Sequence, residues 1–254
     1  MDLISIIIPY FKKKIYIKST LSSILNQSYK KFEIIIIYDD SSKTDLLYLK
    51  ELSKKDQRIK LFINKNNIGA GLSRNKGIKL SKGKYICFID ADDLWTKTKL
   101  ESQIEFMKKN NYLVSHTSYY ILNKYNKVIQ LRHAQNLFSF KKLLKSCDIG
   151  LSTVMLKKSV INNKTKFSNT KTKEDFILWL RISKRGIPIY ALDKPFTKWR
   201  SLEGSLSSSL TQKLIDGFRI YKKNLNYGLF KSLYFLFLLS INFLIKSQRS
   251  KNNV

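Results

Sequence analysis

Four short apolar runs rich in β-branched residues punctuate the first part of this chain: "LISIII" (Leu3 to Ile8), "FEIIIIY" (Phe32 to Tyr38), "IKLFIN" (Ile59 to Asn64) and "YICFID" (Tyr85 to Asp90). Runs without polar alternation mark strands covered on both faces, as in parallel sheets. Helical spacing separates them: Ile17, Leu21, Ile24 and Leu25, then Leu46, Leu49 and Leu52, then "GAGLSRNKGIKLSKG", with Gly83 at its end. Strand and helix alternating in this order predict an α/β fold, a single Rossmann-like, doubly wound, mostly parallel sheet with right-handed crossovers. Ligands of such sheets gather at the carboxyl ends of the strands. Each run here ends in something short and polar: Pro9-Tyr10, with Pro9 expected to stop the strand, Asp39-Asp40, Asn64, and Asp90-Ala91-Asp92.

Beyond residue 110 the pattern weakens. Strands are expected near Leu113–Thr117, Lys127–Leu131 and Thr153–Leu156, then a helix from Glu174 to Lys184 with Gly186 as its C-cap, then a strand "IPIYAL". The tail differs in kind. From Ser232 to Ile245 only Ser232, Ser240 and Asn242 are polar. At 1.5 Å per residue this stretch is roughly 21 Å long, short of the ~30 Å hydrocarbon core of a bilayer. Lys222, Lys223 and Lys231 precede it, and Lys246, Arg249 and Lys251 follow. A helix lying in the membrane interface is the reading preferred over a terminal helix packed on the domain. The expected organisation is therefore a domain over residues 1–205, with a nucleotide-binding half (1–100) and an acceptor half (101–205), followed by a helical, membrane-associating segment (206–254).

The chain carries 48 Lys+Arg against 18 Asp+Glu, a net charge of +30. That implies attraction to polyanions. Only eight of the basic residues are arginine, the residue favoured for base readout and phosphate clamps. Specific nucleic-acid binding is therefore not expected, and an anionic membrane surface is the better partner. Cys87 and Cys147 lie far apart with no zinc spacing, and both read as reduced thiols. "LISIII" is cut short by Pro9 and preceded by no basic region, so a signal peptide is not expected. A cytoplasmic protein, peripheral on the inner face of the cell membrane, is the resulting expectation.

Acid is scarce, yet three aspartates fall within four residues in "YICFIDADDLW". Carboxylates held so close repel one another unless a cation compensates. Asp90 and Asp92, one residue apart at a strand end, suit a hard divalent ion such as Mn2+ or Mg2+ completed by substrate phosphates. The competing interpretation is a helix N-cap, with Asp93 the best candidate for that job.

The stretches "SIIIPYFKKKIYIKSTLSSILNQSYKKFEIIIIYDDSSKTD" and "NKNNIGAGLSRNKGIKLSKGKYICFIDADDLW" resemble the family 2 glycosyltransferases of the GT-A fold, and "LSTVMLKKSV", "KEDFILWLRIS" and "KWRSLEGSLSSS" continue the likeness more loosely. The resemblance implies that Pro9 and Tyr10 begin a nucleotide pocket. It implies that Asp40, with Asp39 beside it, accepts a hydrogen bond from the base, typically uracil, and that Arg74 also lines the nucleotide. Asp90-Ala91-Asp92 matches the Asp-x-Asp motif, Asp90 toward the ribose and Asp92 toward the metal. "KED" matches the family's Glu-Asp, which makes Asp175 the expected base, with Glu174 orienting it. In many relatives a histidine stands two residues after the position of Arg200; Leu202 stands here. Arg200, with Lys198, is then expected to clamp the pyrophosphate.

An inverting, metal-dependent hexosyltransferase is what this resemblance implies. It would take a sugar from a nucleotide-diphosphate donor, a UDP-sugar by the Asp40 argument, to a hydroxyl of a glycan or lipid-linked glycan in polysaccharide biosynthesis. Two alternatives compete. A sugar-nucleotide nucleotidyltransferase would need a glycine-rich phosphate loop after the first strand, where "PYFKKKIY" has none. A non-enzymatic basic nucleic-acid or lipid-binding protein leaves the aspartates unexplained.

Overall fold

The computed structural model describes residues 1–135, 138–201 and 210–249. The first half forms as the apolar runs predict. Strands β1 (Ile4–Tyr10), β2 (Phe32–Tyr38), β3 (Ile59–Ile63) and β4 (Tyr85–Phe88) alternate with helices α1 (Lys14–Leu25), α2 (Lys43–Lys54) and α3 (Ala70–Leu80). All four strands pair in parallel, in the order β3-β2-β1-β4. Alternation along β1 divides the core between two faces. Ile4, Ile6 and Ile8 join Ile17, Leu21 and Leu49 on one side, while Ile7 joins Ile78, Ile86 and Phe88 on the other.

Pro9 does not end the first strand, which runs one residue further to Tyr10. The reason lies in the neighbouring strand. β4 pairs with β1 only as far as Ile7↔Phe88, and the Ile7 carbonyl accepts from Ile89 N, so alternate residues from Ile7 face β4. Pro9 therefore lacks its N–H on an edge that β4 no longer covers, where the loss leaves no ladder bond broken. The divergence of β1 and β4 past this point opens the rim of the sheet.

The second half extends the sheet through β5 (Leu94–Trp95), β6 (Val114–Leu122), β7 (Val128–Arg132), β8 (Met155–Lys157) and β9 (Tyr190–Arg200), with helices α4 (Lys99–Lys109), α5 (Phe140–Leu143) and α6 (Glu174–Lys184). β8 inserts antiparallel beside β4, β6 follows it, and β9 pairs parallel to β6 and antiparallel to β5. The strand expected over "IPIYAL" instead begins at Tyr190 and continues through Pro195 to Arg200. Register shifts around Ser118 let it absorb the proline. Asp93 is not a helix cap: β5 intervenes, and α4 starts at Lys99 with Thr98 before it. Gly186 does follow α6 with a left-handed φ of 76° and donates its N–H to the Ser183 carbonyl. Cys87 and Cys147 are both free thiols.

The boundary expected at residues 205–206, together with Leu202, lies outside the described residues, as does Lys251. Beyond it, α7 (Leu210–Arg219) leads through a π-helical turn, Ile220–Asn224, into α8 (Leu229–Arg249). Among the described residues no helix is long and apolar enough to cross a membrane. One face of the tail packs on the domain, as the terminal-helix alternative expected, and another face is exposed. Phe235, Leu236 and Leu239 pack against the core, beside the buried Ile220 and Tyr221. Leu229, Phe230, Leu233, Tyr234 and Phe237 lie exposed.

Candidate active site

The carboxyl ends of β1, β2 and β4 form one rim, and the sequence motifs meet there. Arg74, on α3, is the keystone. Its guanidinium is buried, with one terminal nitrogen 2.7 Å from Asp90 Oδ1 and the other 2.6 Å from Glu174 Oε1. Burial alone would lower its pKa, but Asp90 and Glu174 outweigh that and hold it above the ordinary guanidinium range. Its Nε has no hydrogen-bond partner. The Asp-Ala-Asp turn and the start of α6 are thereby joined across a separation of 84 residues.

Close approach of α3 to this junction depends on Gly71. A Cβ there would lie 2.5 Å from the Ser168 carbonyl oxygen and 3.3 Å from Glu174 Cγ. Asp175 follows Glu174 at the first turn of α6, where its Oδ1 accepts from Phe176 N at 2.7 Å. Burial and the Glu174 charge push its pKa up to about 6, against the lowering effects of the Phe176 bond and Arg74. A carboxylate with that pKa is ionised at neutral pH yet basic enough to accept a proton. Lys173, which precedes the pair, holds left-handed backbone at φ 60°. Lys12, on the opposite side, does the same at φ 52°. Each such non-glycine residue costs about 1–2 kcal/mol, and both border the rim.

Asp92 faces Lys13, whose Nζ stands 2.6 Å from Oδ2. Burial and the neighbouring Asp90 still raise the Asp92 pKa. Asp93 is raised further by burial, Asp90 and Asp92. Burial and mutual repulsion thus disfavour the charged forms of Asp92 and Asp93, a penalty that a hard cation at the turn would offset. Among the described residues no group of three or more His, Cys, Asp or Glu side chains is placed to hold a metal. Two carboxylates with phosphate oxygens and water suit Mg2+, which usually takes few protein ligands. The donor set fits Mn2+ or Mg2+ on Asp92 and Asp90 in that form.

Several expected ligands of the nucleotide are engaged otherwise. Tyr10 is 0% exposed; its hydroxyl donates to Asp45 Oδ2 at 2.6 Å and its ring stacks on Tyr38, so its side chain is a core element and only its backbone can line a pocket. Asp39 is buried and accepts from Asn64 Nδ2, Ile68 N and Gly69 N at 2.8–2.9 Å. It anchors the loop that launches α3. Asp40, by contrast, is only half-buried and held by Lys12 N and Ser41 N, at 2.9 and 2.7 Å. Pro9 is half-buried at the same rim, and Ala91 is buried, its carbonyl accepting from Thr20 Oγ1 at 3.0 Å.

Arg200 departs furthest from expectation. Its backbone N–H donates to Asp93 Oδ1, its Nη1 to the Asp92 carbonyl, its Nε to Asn126 Oδ1, and its guanidinium lies over the Tyr16 ring. It braces the acidic turn through these partners, while its Nη2 keeps only a long 3.5 Å contact to Ser19 Oγ. Lys198 is half-buried on β9, in register with Leu94.

Residues 5–167 match the family described as Glycosyl transferase family 2. The chain belongs to that family. An uncharacterized glycosyltransferase of Rickettsia conorii is 40% identical over 205 residues, 80% of this chain but 33% of the relative. The chain thus spans about a third of that relative's length. End to end, over 100% of both chains, it is 35% identical to the UDP-Glc:alpha-D-GlcNAc-diphosphoundecaprenol beta-1,3-glucosyltransferase WfaP of Escherichia coli. Among solved structures, TarS 1-349 of S. aureus in complex with UDP-GlcNAc superposes with a TM-score of 0.68 at 19% identity, covering 93% of this chain and 70% of that one. The fold is the GT-A fold.

Within this family 2 chain, three contributors were not singled out from the sequence. Lys13 sits in "FKKK", a stretch read only for its lack of glycine. Ser152 ties the turn together, donating to Asp93 Oδ2 at 2.5 Å and accepting from Asp90 N at 3.1 Å. Asn126 orients Arg200. For Ser152 and Asn126 no local pattern signals a role; both act only through contacts far away in sequence.

Proposed function

We propose that this chain is an inverting, metal-dependent glycosyltransferase. It moves a hexose from a UDP-sugar to a hydroxyl of a lipid-linked glycan at the cytosolic face of a membrane. The observation that carries this reading is the Arg74 bridge, which draws the Asp-Ala-Asp turn and the Glu174-Asp175 pair to one rim. Asp175, close enough to Asp90 and Arg74 to feel both charges, takes the proton of the acceptor hydroxyl. That oxygen then attacks the anomeric carbon from the face opposite the diphosphate, so the new bond has inverted configuration. Glu174, fixed by Arg74, holds the first turn of α6 and thus the base in place.

Asp40 receives the imide N–H of a uracil ring. Asp92 with Asp90 would hold Mn2+ or Mg2+, whose chemistry is to offset the charge growing on the leaving diphosphate. Lys13 then turns from Asp92 to the phosphate oxygens. The name of WfaP supplies the first candidates, UDP-glucose as donor and a GlcNAc-diphospholipid as acceptor. The net charge of +30 and the exposed apolar face of α8 support a peripheral position on anionic lipid.

The test incubates the purified protein with a panel of nucleotide sugars, with and without Mn2+, and with a GlcNAc-diphospholipid. The expected result is metal-dependent transfer from one UDP-sugar, with NMR showing a β linkage from the α-configured donor. An α-linked product, or no turnover of any nucleotide sugar with metal present, would overturn the reading.

A further inference from the structure

A cavity of about 530 Å³ lies where the loop that precedes α6 meets α7 and the π-helical turn, and it shares no residue with the strand-end carboxylates. Lys171, Arg219 and Lys223 line it, with Asn169, Thr170 and Asn224 as neutral partners. Its volume falls within the range of small-molecule sites. One wall is the loop 169–173, which runs directly into Glu174 and Asp175. Thr172 pins that loop to α7 by donating to Asp216 Oδ2 at 2.7 Å. Helix α8 meets the same junction: a Cβ on Gly217 would lie 2.9 Å from Leu236 Cδ1 and 3.9 Å from Lys173 Cε.

The charge in this cavity is lopsided. Asp216 is buried and already serves Thr172 and Arg219, the latter at 3.3 Å. Among the described residues Lys171 and Lys223 make no ion pair, and both are exposed. Lys223 and Asn224 stand on the π-helical turn, a distortion found frequently at functional sites. Tyr221 holds that turn in place by donating to the Leu144 carbonyl at 2.8 Å. Next along the chain comes the outward face of α8, where Phe230 is 87% exposed and Phe237 62% exposed.

Basic side chains and an exposed apolar helix face thus follow one another along the chain, and the cavity wall 169–171 leads directly into the candidate base. We propose that this cavity binds the diphosphate of the acceptor's polyprenyl carrier, while the α8 face receives the polyprenyl chain. The acceptor sugar is thereby tethered beside Asp175. This rests on the glycosyltransferase reading, and deepens it by separating the two diphosphates of the reaction: the donor's lies at the acidic turn, the acceptor's in the basic cavity.

The test uses the full chain with the double substitution Lys171→Gln and Lys223→Gln, both on exposed side chains, and Arg219→Gln separately. The KM for a GlcNAc-diphospholipid is expected to rise at least tenfold. The KM for an octyl glycoside of the same sugar, and the rate of UDP-sugar hydrolysis, stay within twofold of wild type. Unchanged KM for the diphospholipid, or equal losses on both acceptors, would overturn the proposal. Hydrolysis absent from the wild type would instead indict the glycosyltransferase reading. A flotation assay keeps the cavity testable in that case. Phosphatidylcholine vesicles doped with a polyprenyl diphosphate should retain wild type better than the double variant, whereas phosphatidylglycerol vesicles retain both equally. Equal loss on phosphatidylglycerol would mark the cavity as a general headgroup site and refute the carrier assignment, as would release of wild type from both vesicles by inorganic diphosphate alone.

Discussion

Substituting Asp175→Asn removes a negative charge from beside Glu174, where the fold raises its cost. A carboxyl whose pKa rises from 3.8 to about 6 on folding binds its proton more tightly in the native state. Stability from such a group is fully present below pH 3.8 and is lost as pH rises through 6. At pH 7.5 the ionised side chain therefore opposes folding. Unscreened, that rise corresponds to about 3 kcal/mol. Residual solvent contact and adjustment of the paired Glu174 reduce the observable to about 1–2 kcal/mol.

The asparagine variant is expected to melt several degrees higher than wild type at pH 7.5, since 1 kcal/mol is worth about 2–4 °C in a chain of this size. The gain should shrink steadily as pH falls through 6 and vanish only below pH 3.8, where Asp175 is protonated in both states. Transfer activity should fall by about 10³-fold, because the amide cannot take the acceptor proton, while UDP binding persists. Calorimetry across pH 4 to 8, set beside turnover, reads both effects. Destabilisation at pH 7.5, a gain independent of pH, or near wild-type turnover would refute the reasoning.

In wild type, kcat/KM should fall on the acid side with an apparent pKa near 6, readable from a pH–rate profile; activity undiminished at pH 5 would contradict it. Arg74→Leu leaves Asp90 and Glu174 facing each other without their shared cation, and should cost about 3–5 kcal/mol in chemical denaturation. Gly71→Ala drives a methyl against the Ser168 carbonyl and Glu174. It should cost about 1–3 kcal/mol and lower kcat more than donor affinity, a split that steady-state kinetics would show. Phe230→Ser with Phe237→Ser removes exposed apolar surface from α8. At about 1.5 kcal/mol or more per ring buried in lipid, retention on anionic vesicles should weaken about a hundredfold with the melting temperature unchanged.

Local sequence alone determined the four parallel strands, their order along the chain and the polar groups at their ends. The reason is physical: a strand covered on both faces is apolar at nearly every position, with Ser5 and Glu33 the polar exceptions in β1 and β2, so its presence shows without knowledge of its neighbours. The run over Tyr190–Arg200 defied that logic, because bulges and half-exposed positions let Pro195 and charged residues enter a strand. Side-chain roles were legible only in part. Asp39 and Asp40 are adjacent and chemically identical, yet one is tied down by Asn64, Ile68 and Gly69 while the other lies half-buried at the rim. Arg200 is turned inward by Asp92, Asp93 and Asn126, and Tyr10 by Asp45. Hydrogen-bond partners tens of residues distant decide whether a polar group is satisfied inside the fold or left for a ligand, and only the packed chain brings those partners together.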